Sequence, residues 1–404
     1  MLGMLICFLS APLMLDYLPA GSRQAIFFLD TEGIRGPFLW CLYKVQRLGV
    51  DMQTCCKIYR FVCNLAMCLT AFGSFRAVCG DNTAAFAGTV CYSFSVYAVY
   101  VSLVRGSLGE STALIFLPLV ACSLYRIYTS EAEEKKWIRL AVWLGCGLLG
   151  IFYSHIPLAM VVLGFLFLTM LLLWRRTLCK QRLFILVTSL SGAFLGSLVI
   201  WVRYLREMLN GDQYAVLGGK LSFSLRAPSL AQLLVGFYGN TGNTEGMLEG
   251  ELIGLGLPLS IIAVVWVFVR FLKGKGFKNS VTGRAMFLIG LSVLALIMSS
   301  ALFPWGAIQR LHWLPRVLLE HVGYPYRFLA VSVVLLSLCV SLFGQWIKER
   351  FPEKRILFLV VVIVLNVFGG MYLANDQLYT VMPDYEPQAD ALYEDLDFVY
   401  YISE

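Results

Sequence analysis

The chain has 404 residues, 59% apolar and 14% charged, with a net charge of +7 and a mean hydropathy of +0.75. Soluble domains run about 45–50% apolar and about 25% charged, so this chain has too little polar surface to cover soluble domains of its length. A nucleic-acid binder, a collagen-like chain and a disordered chain are excluded with them, and the composition reads as an all-α polytopic membrane protein in a lipid bilayer.

Eleven apolar segments follow in chain order. The first four candidates are Met1–Leu15, Phe61–Phe75, Thr83–Val104 and Ser111–Tyr125. The more regular ones are Leu140–Ser154, Ile156–Trp174, Leu183–Val202, Ile253–Val269, Ala285–Phe303, Phe328–Trp346 and Ile356–Leu373. The first has no basic stretch before it and no small-residue cleavage site after it, so it reads as a retained span. Leu230–Phe237 and Ile308–Leu319 read as short interfacial helices in the loops, the second flanked by Trp305, Trp313, Arg310 and Arg316, which suit a headgroup layer.

The charge is unevenly placed. Residues 375–404 carry eight acids and no Lys or Arg, so with 25 acids and 32 bases in all, residues 1–374 carry 32 − 17 = +15. Basic residues crowd alternate connections: Arg126 to Arg139, Arg175 to Arg182, Arg270 to Arg284, and Lys348 to Arg355. Under the positive-inside rule these connections are cytoplasmic. That puts the N-terminus in the cytoplasm of a multi-pass plasma-membrane protein. The loops at about 16–57, 203–252 and 304–327 are then external, as is the acidic, Tyr-containing tail 375–404, and residues 1–374 form one transmembrane domain. Arg23, Arg35, Lys44, Arg47 and Lys57 break this pattern, which leaves either an ordered outer subdomain or a misplaced first span.

Most of the twelve cysteines lie inside apolar runs, where Cys packs as a small hydrophobe. There is no C-x-x-C pair, no P-loop, no H-E-x-x-H and no G-x-S-x-G, and His occurs three times. No cofactor or metal is therefore expected.

Chemistry is left to a few polar residues near span ends, where an ionisable group is costly. Arg105 and Glu110 flank Gly106-Ser107-Leu108-Gly109, so a tight fold of the backbone can pair them, either to hold a phosphate-bearing ligand or to lock two helix ends. His155 sits in a tight hairpin between two spans. Tyr326-Arg327 opens another span on the same side, where a planar guanidinium suits a phosphate and also suits simple snorkelling. Asp16 and Asp30 are candidate general bases in the first outer loop, with Glu32 beside them.

Residues Tyr100 to Glu110, followed by Phe116-Leu117-Pro118-Leu119, resemble the bacterial membrane proteins labelled 6-pyruvoyl-tetrahydropterin-synthase-related. The Ser154-His155 hairpin, Phe303-Pro304-Trp305 and Tyr324-Pro325-Tyr326-Arg327-Phe328-Leu329 are similar to that family in the same order. The resemblance implies a GT-C-like fold and transfer of sugar from a polyprenyl-phosphate donor on the outer membrane face. Asp16 or Asp30 would act as base, His155 would assist, and Arg105, Glu110, Tyr326 and Arg327 would form the substrate site. Such proteins usually carry His-Asp-x-x-Phe-His-x-x-Arg-Ile after the first span. Here Asp16-Tyr17-Leu18-Pro19-Ala20-Gly21 runs almost directly into Ser22, which implies a shortened or lost catalytic loop. The alternatives are a non-catalytic membrane scaffold and a transporter or flippase of lipid-linked precursors. A transporter would call for mid-span charges and matching halves, and neither is visible in the sequence.

Overall fold

The computed structural model describes residue 49 and residues 52–129, 134–209, 227–235, 253–273, 281–311, 319 and 322–381. Among these the regular structure is helical throughout, with no strand. Helix α1 spans Met52–Cys79, α2 Asn82–Ser93 and α3 Val96–Val99, which runs into a π-helical turn over Tyr100–Val104. Helix α4 is Leu108–Thr129, α5 Glu134–Ser154, α6 Ile156–Leu172, α7 Trp174–Thr177, α8 Lys180–Gly196 and α9 Leu198–Leu209. After the short α10 (Leu230–Val235) come α11 (Leu257–Lys273), α12 (Val281–Ser299) and α13 (Trp305–Leu311). A 3-10 turn at Pro325–Phe328 opens α14 (Leu329–Arg350), and α15 is Arg355–Val381.

Among the described residues, four helices are long and apolar enough to cross a membrane: Thr54–Cys79, Leu108–Thr129, Trp137–Ser154 and Pro325–Arg350. The count rises to six if α2 with α3 and α8 with α9, each pair sharply bent, are single spans. The count of eleven is thus met only in part, and the first expected segment lies outside the described residues. Three further apolar stretches, Ile156–Leu172, Leu257–Phe268 and Gly283–Ser299, are shorter. At 1.5 Å per residue a 17-residue helix reaches about 26 Å, short of a ~30 Å hydrocarbon core. The expected span Thr83–Val104 breaks by 52° after Ser93, because the Ser95 side chain accepts from Ala98 N–H and starts a new helix. Two expected boundaries also move: α1 begins inside the expected outer loop, and α15 runs into the expected tail.

Helix α14 lies at the centre, buried along nearly its whole apolar length and packed against α2, α11 and α12. Outward from α2, helices α1, α4, α5 and α8 follow, each against the next. Polar contacts tie these apolar neighbours together, as expected where lipid gives helices little hydrophobic reason to associate. Pro118 cannot donate to the Leu114 carbonyl one turn back, and that carbonyl instead accepts from the Tyr92 hydroxyl at 2.7 Å. The Trp266 indole donates to the Cys339 carbonyl at 3.0 Å, and Ser292 and Ser332 share a hydrogen bond of 2.6 Å. Large apolar side chains remain exposed around the outside, among them Leu69, Phe167, Val199, Val264 and Phe368. Such a surface is compatible with a lipid surround and unsuited to water.

Charged groups gather at two unlike sets of helix ends. At one end Asp81 caps α2 and receives the Lys348 ammonium at 2.7 Å, while Arg182 donates to the Ile127 carbonyl at 3.1 Å. Arg126, Arg175, Arg176, Arg284 and Arg355 belong to this basic end. At the other end the polar groups turn inward.

Candidate functional site

The inward-turned cluster begins with the backbone around residue 100. In the π turn the Arg105 N–H reaches back five residues to the Tyr100 carbonyl at 2.8 Å. Helix α1 holds this turn from the side. Arg60, almost fully buried, donates to the Ser102 carbonyl, and the Ser102 hydroxyl donates to Asn64 Oδ1 at 2.9 Å. π turns of this kind recur at functional sites because they re-aim the side chains that follow. Gly106 then takes a positive φ of 64°, which glycine adopts freely and which lets the chain reverse into α4.

Glu110, in the first turn of α4, has no solvent exposure. Its carboxylate accepts from the Tyr97 hydroxyl at 2.6 Å and from Arg105 Nη1 at 3.4 Å, and lies 3.8 Å from Arg327 Nε. The 3-10 turn positions Arg327, which also donates to the Val322 carbonyl. Tyr324 and Tyr326 complete an aromatic wall. The Arg105 guanidinium sits 5.0 Å from the Tyr324 ring and 5.3 Å from the Tyr326 ring, within cation–π range. Arg105 is the accessible member, its side chain 23% exposed against 8% for Arg327.

His155 adjoins the cluster through α4. A methyl group at Gly109 would fall 2.7 Å from the Ser154 carbonyl oxygen and 3.6 Å from the His155 ring, so only glycine permits this approach. His155 Nδ1 accepts from the Leu158 N–H at 3.2 Å and caps α6, which leaves the proton on Nε2. Burial, followed by the nearby Arg327, pushes its pKa down to about 3, while Glu110 pulls the other way. His155 is therefore a neutral hydrogen-bond donor across the physiological range, not a cation. Because its folded pKa lies below the ordinary ~6.5, the unfolded chain takes up a proton that the folded chain refuses between about pH 6.5 and 3. Stability contributed by the neutral ring is thus present above 6.5 and lost as pH falls through that window. With 13C-labelled histidine, the resonance that disappears in His155→Asn should keep a neutral imidazole shift from pH 8 to pH 5; a titration midpoint near 6.5 would contradict this environment.

The fold therefore brings together Arg105, Glu110, His155, Tyr326 and Arg327. Asp16 and Asp30 lie outside the described residues. Tyr97, Tyr324 and Arg60 belong to the cluster without having been singled out in the sequence. Tyr97 and Arg60 lie within or beside apolar runs with no distinguishing spacing, whereas Tyr324 stood in the Tyr-Pro-Tyr-Arg string that drew attention to Arg327. Two arginines, one carboxylate and a neutral imidazole leave one net positive charge. Among the described residues, the Tyr326 hydroxyl and Arg327 Nε are buried polar atoms without a hydrogen-bond partner. Such an arrangement can receive an anionic oxygen. Also among the described residues, no three His, Cys, Asp or Glu side chains gather where a metal ion could be held. No protein-family model matches the chain, and no curated protein is similar to it.

Proposed function

We propose that the chain is a multi-pass membrane protein that binds the phosphate of a lipid-linked sugar at the Arg105–Arg327 end, as GT-C-type transferases of the bacterial envelope do. The observation that carries this reading is the net positive charge left over once Glu110 is fully paired, presented by the partly exposed Arg105 between two tyrosines. Guanidinium forks grip phosphate oxygens with two parallel hydrogen bonds, which suits this placement. The basic end would face the cytoplasm and the cluster the outside. In the transfer, an acceptor hydroxyl loses its proton to Asp16 or Asp30 and attacks the anomeric carbon from the face opposite the phosphate. The sugar–phosphate C–O bond breaks, and the polyprenyl phosphate leaves with the electron pair. Arg105 and the His155 Nε2–H stabilise that departing anion. Glu110 orients the arginines; with Tyr97 and Arg105 already donating to it and Arg327 in ion-pair range, it is a positioning residue.

Hydrogen bonds to charged groups contribute about 1.5–3 kcal/mol. Arg105→Ala should therefore lower sugar transfer in isolated membranes by roughly 10- to 150-fold at unchanged protein abundance. Undiminished transfer from a polyprenyl-phosphate sugar would exclude the phosphate role. A second reading, a purely structural lock of helix ends, draws on the complete burial of Glu110. It expects Arg105→Ala to lower abundance and thermal stability instead.

A further inference from the structure

A cavity lies toward the basic end, away from the cluster. Helices α4, α6, α12 and α14 leave about 330 Å³ between them, lined by Leu117, Ala121, Leu166, Leu291 and Val334 and by few polar atoms. An aromatic layer separates it from the cluster: Phe165 and Phe328 approach with ring centroids 6.2 Å apart, and Phe328 stacks on Trp305 at 5.3 Å. Arg327 and Phe328 are adjacent in sequence, one serving the polar site and the other the layer beneath it. At its far end the lining changes character. Tyr125, Tyr128, Thr129, Arg176 and Arg284 line this end, both arginines are exposed, and Arg284 lies close to Tyr125.

We infer that this cavity is a binding site for one acyl chain of an anionic phospholipid, its phosphate held by Arg176 and Arg284. Shape and charge agree on that occupant. From Leu117 to Tyr128 the lining rises 11 residues along α4, about 16 Å at 1.5 Å per residue, which is about half of a ~30 Å hydrocarbon core and hence one leaflet deep. Away from the arginines the lining is apolar, as a chain terminus requires. The open end carries two cations at the layer where Arg182, Lys348 and Arg355 also lie, the depth of a phosphate headgroup. A soluble apolar ligand would leave the two arginines unexplained, and a free anion would leave the cavity unexplained. The site is independent of the sugar-transfer reading, since it lies beyond the aromatic layer.

The test uses the full chain in detergent micelles doped with either phosphatidylglycerol or phosphatidylcholine of equal chain length, with bound lipid counted by native mass spectrometry. One phosphatidylglycerol should be retained at least five-fold more than phosphatidylcholine. The double variant Arg176→Gln with Arg284→Gln should bring retention down to the phosphatidylcholine level. Ala121→Phe, which fills the cavity, should reduce both. The exposed arginines can be replaced without disturbing packing, so the headgroup arm stands even where the cavity variant accumulates poorly. Equal retention of the two lipids, retention unaltered in the arginine variant, or displacement by millimolar inorganic phosphate alone would each overturn the assignment.

Discussion

Glu110→Gln should be the most damaging single change in the protein, costing about 3–5 kcal/mol, the usual penalty for removing one partner of a buried ion pair. The amide keeps the size of the side chain and can still accept from Tyr97, so what is lost is charge. Two guanidiniums then share a buried corner with no anion. They do not suffer equally. Arg105 is partly exposed and can turn outward, whereas Arg327 is held beneath Tyr324 and against the Val322 carbonyl. The penalty therefore falls on Arg327, which yields a second expectation. Adding Arg327→Met to Glu110→Gln should recover part of the loss, while adding Arg105→Met should recover less. Thermal unfolding in detergent of these three variants, of the single Arg327→Met and Arg105→Met variants and of the parent chain, followed by size-exclusion fluorescence, measures both couplings. If Glu110→Gln melts within ~1 kcal/mol of the parent chain, the carboxylate is not the anchor of the cluster.

The same cluster shows what the sequence could and could not reveal. Arg105 and Glu110 stand five residues apart with two glycines between them, a local spacing that announces a tight fold of the chain. Their pairing is legible because everything it requires is local. Arg327 is 217 positions beyond Glu110 in the numbering, and its approach depends on α14 packing beside α2 and α4. No local pattern encodes that approach; the Tyr-Pro-Tyr-Arg string and the cost of an arginine at a span end drew attention to the residue but not to its partner. Tyr97 was illegible for the opposite reason, since a tyrosine in an apolar run reads as packing until its hydroxyl is seen to donate. Asp81 escaped notice because its ion pair with Lys348 spans most of the chain, although an acid between two apolar runs is also what a helix cap looks like. The helix ends themselves were read well where a polar residue closes the apolar run, as at Ser154, before which the expected Leu140 start falls six residues inside the helix Glu134–Ser154. They were read less well where a serine interrupts an unbroken apolar run, as at Ser95, because hydropathy registers composition and not the local hydrogen bond that ends a helix.

Replacing each arginine by lysine should separate ligand binding from folding. Lysine keeps the charge and loses the planar fork and its spread of donors. At Arg327 that loss is structural. The guanidinium serves the Val322 carbonyl from one nitrogen while another faces Glu110, all beneath the Tyr324 ring. A single ammonium cannot occupy both positions. Arg327→Lys should leave a buried acceptor unpaired, at about 1–3 kcal/mol, and lower the melting temperature and the yield of folded protein. At Arg105 the loss is chemical. Its pair with Glu110 is long at 3.4 Å and partly open to solvent, so much of the pair's strength is screened and a lysine can replace it within about 1 kcal/mol. What Arg105→Lys cannot replace is a bidentate grip on phosphate. The expected result is therefore a crossed one: near-parental stability with at least ten-fold weaker phosphate-dependent activity for Arg105→Lys, and lowered stability for Arg327→Lys. Should both variants melt like the parent chain and transfer sugar like it, neither guanidinium is used for its geometry. If instead Arg105→Lys unfolds along with Arg327→Lys, the two arginines form one structural lock, and the ligand belongs elsewhere.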